Sequence, residues 1–523
     1  MKRSVLGLAG LLMAACAVDP AVLGEGPPDA GPRGGGGGAK PPDETGGTAT
    51  ADTGGTNGND KGGGDAPPEA GAPAMPQANP SDDDSGGTSG FGGSGSGGSG
   101  GKAGTTGSGS TDACEFEVST VLSPRIPTVG IVEWATTLEN VTSARIEFGL
   151  TDSYGMTAPA TALGSGNRTL LLGMKQARTY HYRISASSAV ESCQSRDFTL
   201  ETGVLRGDLQ KVAVSTHDAG ALAGGFLVTG QYAPTASMGS APALIIDADG
   251  DVVWEYFAFN QGVTAARQSY DGHSMWINSA NVPSSAANVH RVSMDGLEDE
   301  DLSGPFAGQS YQLSVLPDET VAFYAYSDDG SYDIHEYDPS TGNARTVVNT
   351  GDFAPGGGHL DAIEYSPADD TLLLSNLDQS SITKITRTGE VVWVLGGTNS
   401  TFSGPGATWQ HQTGIQPLSL DRILFFNNGG PGGTASAVVE VELDLDERTA
   451  VPLWNYADPA LNNPVMGDVQ RLDNGNTIVA YSTRGIVQEV SPAGEVLQEL
   501  KWPTGYAFGY IQKRESLYGP PPR

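Results

Sequence analysis

Beyond about residue 112 the apolar residues fall in short runs bounded by Gly, Asp, Asn and Pro, and runs with the period of a helix are nearly absent. That pattern predicts strands joined by tight turns. From residue 208 to about 512 it also repeats. Ile246-Asp247-Ala248-Asp249-Gly250-Asp251-Val252-Val253-Trp254 matches Ile385-Thr386-Arg387-Thr388-Gly389-Glu390-Val391-Val392-Trp393, and both match Val490-Ser491-Pro492-Ala493-Gly494-Glu495-Val496-Leu497. Weaker copies begin at Val292, Tyr337 and Leu443, so successive copies lie about 45–48 residues apart, with one longer interval containing residues 404–428. A second turn-plus-strand unit runs in phase at residues 316–323, 366–374 and 472–479. Forty-odd residues is the length of a four-stranded blade, and six copies predict a six-bladed β-propeller over residues 208–514, with 515–523 as a tail. The expected fold class is all-β.

Residues 112–204 are expected to form a separate small domain, with strands at 131–134, 143–148 and 180–184. Trp134 on an early strand and tyrosines on a later one resemble a fibronectin type III or Ig-like β-sandwich. Cys114 and Cys193 lie near its two ends, and an oxidising compartment would permit them to pair. His181 alternates with tyrosines and reads as a packed or surface residue.

Composition changes the picture at the N-terminus. Lys2-Arg3 precede a short apolar run ending Leu12-Met13-Ala14-Ala15-Cys16, which fits a signal peptide over 1–15 and resembles a lipobox with Cys16 as the lipidated residue. The run is too short to span a bilayer, so membrane attachment would be through lipid. Residues 16–111 are Gly, Pro, Ser, Thr and Asp, too poor in apolar side chains to offset chain entropy, and are expected to be a disordered linker. About ninety such residues span roughly 50 Å root-mean-square. Ala17 after the cysteine is not the aspartate that retains lipoproteins in the inner membrane, so the expected location is the outer membrane of a Gram-negative bacterium. The stretch around Lys102 resembles a phosphate loop but lacks its flanking strand, helix and hydroxyl residue.

The net charge of −33 argues against a nucleic-acid partner, and an anionic substrate would need local positive charge. The carboxylates of residues 247–251 suit a hard cation. The other copies place a turn there without the acids, so a hairpin turn is expected and no metal is assigned.

Candidate chemistry concentrates in two segments, Gly358-His359-Leu360-Asp361 and Trp409-Gln410-His411-Gln412. Each histidine immediately precedes a predicted buried strand, which places two imidazoles on one rim. The histidine followed by a strand and an acidic turn at 359–370, the serine-rich strand at 374–380, and Gln410-His411 leading to a strand ending Asn427-Asn428-Gly429 resemble the bacterial arylsulfotransferases, enzymes that need no nucleotide sulfate donor. The resemblance implies that His411 is the nucleophile forming a sulfohistidine and that His359 stabilises the sulfuryl group. It implies aryl sulfate and phenol as small-molecule partners and no cofactor. Where the family carries an asparagine after the first histidine this chain has Asp361, and where it carries an arginine in the serine-rich strand it has Leu377. Arg484, in Tyr481-Ser482-Thr483-Arg484-Gly485, is the candidate replacement cation, and where the family carries a further histidine from an earlier unit the equivalent turns here hold Tyr311-Gln312 and Arg267-Gln268. Asp361, Gln410, Asn427, Arg484 and Tyr311 are the expected substrate-binding set. The other reading is a catalytically inactive propeller that binds a glycan or protein at the cell surface.

Overall fold

The computed structural model describes residues 114–160, 166–209, 211–232, 241–258, 262–279, 288–354, 357–429 and 435–520. The expected signal peptide, Cys16 and the linker lie outside them. Among the described residues no helix is long and apolar enough to cross a membrane, and the helical turns are three-residue 3₁₀ segments.

Two antiparallel sheets form the first part. One orders Phe116–Leu122, Gly130–Thr136 and Asn167–Leu171; the other orders Met156–Ala160, Ser143–Gly149, Thr179–Ser187 and Ser192–Gln194, with Phe198–Glu201 also on Thr179–Ser187. Trp134, Phe148, Tyr180, Tyr182 and Ile184 are buried in one shared core, and the Trp134 indole N–H donates to Thr169 Oγ1 (3.2 Å). Cys114 and Cys193 are disulfide-bonded across a separation of 79 residues, Cα to Cα 6.3 Å.

Six antiparallel sheets follow. Sheets 2 to 5 are four-stranded meanders starting with Ala265–Gln268, Gln309–Val315, Leu360–Ser366 and Gln412–Pro417. Sheet 6 starts with Gly467–Arg471 and gains Ala213–Thr216 as a fifth, outer strand. Sheet 1 holds Phe226–Tyr232, Ala243–Asp247 and Val252–Tyr256, and its innermost positions are filled from the chain end by Ala507–Phe508 and Gln512–Arg514. Each repeat turn read from the sequence therefore joins the third and fourth strands of its sheet. The starting strands of sheets 2 through 6 pack each on the next. From sheet 6 back to the chain end, Asp468 accepts from the Ile511 N–H (2.9 Å) and Gln470 exchanges two hydrogen bonds with the Lys513 backbone (2.6 and 3.0 Å). The starting strands approach closely. A Cβ on Gly414 would lie 2.2 Å from Asp468 Oδ1, so only glycine fits there.

Residues 515–520, expected as part of a tail, are packed and hydrogen-bonded. Leu517 is buried, its carbonyl accepts from the Gln268 side chain (2.9 Å), and the Tyr518 hydroxyl accepts from the Leu172 N–H and donates to the Leu170 carbonyl (2.8 and 3.1 Å). Residues 515–520 thus tie the sandwich-like part to sheet 2. The acidic turn of sheet 1 makes a second tie. Asp247, Asp249 and Asp251 gather around Lys175 Nζ at 3.2, 2.6 and 2.7 Å, with Lys211 also on Asp251 at 3.2 Å. Burial opposes the Lys175 charge, and the carboxylate hydrogen bonds outweigh it, so its pKa stands above the ordinary lysine value. A side-chain ammonium holds the place the sequence offered to a cation.

Candidate functional site

Both histidines stand one residue before the starting strand of their sheet, and both are fixed by the same backbone device. The Leu377 N–H donates to the His359 carbonyl (2.8 Å), and the Asn428 N–H donates to the His411 carbonyl (3.0 Å); each donor follows the second strand of its sheet. His359 and His411 thus hold equivalent places on adjacent sheets 4 and 5.

One hydrogen-bonded path links them. The Ser380 N–H donates to the Leu377 carbonyl (3.1 Å), and the His411 N–H donates to Ser380 Oγ (3.1 Å). Beyond His411, Asn428 Nδ2 donates to the Asn463 carbonyl (2.8 Å), and Asn463 Oδ1 accepts from the Thr483 N–H and hydroxyl (3.0 and 2.5 Å). Arg484 Nε donates to the Asn462 carbonyl (2.6 Å), and burial lowers the Arg484 pKa. The path runs along one rim from sheet 4 to sheet 6 and carries His359, His411 and Arg484.

His411 has φ +55° and Ser380 φ +51°. A non-glycine residue in the left-handed region costs on the order of 1 kcal/mol or more and needs surroundings that enforce it. Here the bonds from Ser380 and Asn428 hold both sides of His411. Gln412 anchors the strand behind it: buried, it donates to Ser375 Oγ and to the carbonyls of Asn376 and Ser381 (3.1, 3.0 and 2.8 Å), and accepts from the Trp409 indole (2.6 Å). The expected Gln410 is exposed. Asn427 is half-buried and its Oδ1 accepts from the Gly429 N–H (3.1 Å).

The other two expected residues lie inward. Asp361 is 3% exposed, with its Oδ2 accepting from the Tyr510 hydroxyl (2.6 Å) and its carbonyl from Tyr324 and Tyr510 (2.7 and 2.8 Å). It stands at a register shift between Leu360 and Ala362. Its position withdraws it from a substrate on the rim. Tyr311 is buried and sets its ring edge-on to His359, centroids 5.3 Å apart. His181, His273 and His290 each sit against a nearby aspartate, Asp197, Asp271 and Asp299 respectively.

Below the rim lies a charged cluster absent from the sequence reading. Arg267, 6% exposed, starts on Ala265–Gln268 of sheet 2, a strand and not a turn, and reaches Glu364 of sheet 4 (3.9 Å) and Asp468 of sheet 6 (3.7 Å). Gln312 and Ser314 of sheet 3 donate to Glu364 (2.9 and 3.2 Å). One guanidinium faces two carboxylates. Burial raises Glu364 to about 7 and Asp468 to about 6, with Arg267 opposing the rise in both.

A carboxylate whose folded pKa exceeds its unfolded one favours the folded state at low pH. The Glu364 contribution is therefore complete below its ordinary 4.5 and is lost as pH rises through about 7. Glu364→Gln, which leaves Arg267 and Asp468 as a matched pair, is expected to flatten that part of the stability profile. At pH 8 it should stabilise the protein by roughly 1–2 kcal/mol, checked by denaturant melts between pH 4.5 and 8.

A groove of about 710 Å³ lies elsewhere, lined by Lys175, Lys211, Val214, Thr216, Leu222 and Gln498. It belongs to the junction of the sandwich-like part with sheets 1 and 6.

The family model described as Arylsulfotransferase (ASST) matches residues 243–502, a span holding the whole rim path and both histidines. Residues 243–502 are arylsulfotransferase-like. No curated protein matches the chain. Among solved structures it is similar to TolB from Acinetobacter baumannii, at 15% identity and TM-score 0.40, over 64% of this chain and 81% of that one. It is also similar to the hydrazine synthase of Kuenenia stuttgartiensis, at 9% identity and TM-score 0.40, over 57% of this chain and 47% of that one. Prolyl oligopeptidase B from Galerina marginata aligns at 10% identity and TM-score 0.31, over 73% and 56%. The arylsulfotransferase-like span includes both histidines that the sequence singled out; no sequence signal assigned a role to Ser380, Gln412, Asn463 or the Arg267 cluster.

Proposed function

We propose that the six sheets form a six-bladed propeller whose rim transfers a sulfuryl group from an aryl sulfate to a phenol through His411. The observation that carries the reading is the hydrogen-bonded rim, within an arylsulfotransferase-like span, on which His359, His411 and Arg484 stand together. In the first step a lone pair of the His411 imidazole forms an N–S bond while the aryl O–S bond breaks and the phenolate leaves. In the second, the acceptor phenol oxygen attacks sulfur, the N–S bond breaks, and the phenol proton passes to solvent or base. His359 offsets charge on the sulfuryl oxygens, a role worth about 10²–10⁴ in rate, and Arg484 adds positive charge to the rim of an acidic protein. No cofactor takes part.

The small β-sandwich, a fibronectin III-like module in this reading, buttresses sheets 1 and 2. Cys16 carries the lipid anchor on the outer membrane, with residues 16–111 as the tether. Steady-state kinetics test the transfer. With p-nitrophenyl sulfate as donor and phenol as acceptor, p-nitrophenolate release is expected to give parallel double-reciprocal lines. Folded protein that releases none would shift the reading to a binding propeller.

A further inference from the structure

Sheet 6 departs from the backbone device that sheets 4 and 5 share at the rim. In those two, the carbonyl of the residue before the starting strand, His359 or His411, accepts from a backbone N–H just past the second strand. The corresponding carbonyl in sheet 6 belongs to Met466, and it accepts from the Asn463 side chain, Nδ2 to O 2.8 Å. Met466 has φ +55°, as His411 does. Past the second strand of sheet 6 the chain coils into the 3₁₀ turn Ser482–Arg484. A side chain from the preceding connection thus caps the start of sheet 6, and the turn is left to carry Arg484.

Asn463 is 0% exposed, and each of its polar groups is engaged. Its Nδ2 also donates to the Val465 carbonyl (2.9 Å), and its Oδ1 accepts from the N–H and hydroxyl of Thr483 (3.0 and 2.5 Å). Its carbonyl accepts from Asn428 Nδ2 (2.8 Å), and its N–H donates to Ser436 Oγ (2.8 Å). Asn463 therefore grips the end of sheet 5 through Asn428, whose own N–H holds the His411 carbonyl. It grips the start of sheet 6 through Met466, and the neighbour of Arg484 through Thr483. Arg484 itself donates from Nε to the carbonyl of Asn462, the residue before Asn463 (2.6 Å). A buried amide bonded on every side makes a rigid joint, because breaking any bond leaves a polar group unsatisfied.

We propose that Asn463 is the positioning residue that fixes Arg484 relative to His411. The inference rests on the transfer reading for its use, since guanidinium and imidazole must then meet one sulfuryl group, and an ångström of misplacement can cost about 10² in rate. The joint itself stands on hydrogen bonds alone.

The test is NMR of arginine-labelled full-length protein, with Arg484→Lys assigning the Arg484 Nε–H signal. Thr483→Val removes one bond between the turn and Asn463 and leaves the amide in place; Asn463→Ala removes the joint. Solvent exchange of the Arg484 Nε–H is expected to quicken about three- to ten-fold in the first and about ten- to hundred-fold in the second. The Nε–H of Arg387, held by Glu336 between sheets 3 and 4 (2.8 Å), should keep its rate. With p-nitrophenyl sulfate, Thr483→Val should lower kcat/KM in the parent chain and lower it no further in an Arg484→Ala background. A residue that only stabilises the fold would give losses that multiply. Thr483→Val decides the matter should Asn463→Ala fail to fold. Arg484 exchange that is unchanged, exchange that quickens equally at Arg387, or multiplying losses overturns the proposal. The exchange readout needs no turnover, so the Arg484 response in a chain without sulfuryl transfer would sink the transfer reading alone.

Discussion

His411→Ala is expected to abolish transfer, with p-nitrophenolate release falling by on the order of 10⁴–10⁶, as removal of a sole nucleophile does elsewhere. His359→Ala should cost less, about 10²–10⁴, because it removes stabilisation and leaves the nucleophile. The two losses should not add, since both groups act on one sulfuryl transfer. Stability should move the other way. His411 sits at φ +55°, so His411→Gly relieves a left-handed backbone and should leave the melting midpoint unchanged or raise it by the equivalent of about 1 kcal/mol. An inactive His411→Gly that melts higher than the parent marks a strained site kept for chemistry. One that melts several degrees lower would mean that the His411 ring serves packing.

Arg267→Leu is expected to destabilise the protein by about 3–5 kcal/mol at pH 8, the scale seen when one partner of a buried ion pair is removed. The physical reason is the charge balance of the cluster. Glu364 and Asp468 already share a single guanidinium, and both are pushed upward by burial, to about 7 and about 6. Without Arg267 the carboxylates face each other in a low-dielectric site with no cation, and both should rise further. Acidification should therefore rescue the variant, recovering much of the loss as the pH falls below about 6. Adding Glu364→Gln to Arg267→Leu should recover part of it at pH 8. Denaturant midpoints for the single and double variants across that range check both statements, and a loss independent of pH would assign Arg267 to packing alone.

The repeat was legible because each blade-length unit must solve the same local problem. Residues 246–254, 385–393 and 490–497 each turn the chain between a third and a fourth strand, and that turn needs Gly or Asp in the same place whatever the neighbours do. The two histidines were legible for a related reason, since both precede a starting strand in phase with that repeat. The charged cluster was not. Arg267, Glu364 and Asp468 lie about a hundred residues apart and meet only because starting strands from sheets 2, 4 and 6 face one another. Asp361 was read as a rim group because strand position alone does not reveal a register shift; the shift and Tyr510, 149 residues away, take it inside. The acidic turn of sheet 1 was legible as a hairpin turn, but nothing in the sequence announces that Lys175 of the sandwich-like part gathers its three carboxylates. The last residues looked like a tail for want of any strand pattern, although Leu517 and Tyr518 are held by hydrogen bonds to sheet 2 and to the sandwich-like part.

The most direct test of the central claim is intact mass spectrometry of the purified protein after brief exposure to excess p-nitrophenyl sulfate without acceptor, beside His411→Ala. The account predicts a gain of one sulfuryl group on the parent chain, lost on adding phenol, and no gain on the variant. A folded parent chain that gains nothing, or a variant that gains as much, would contradict it.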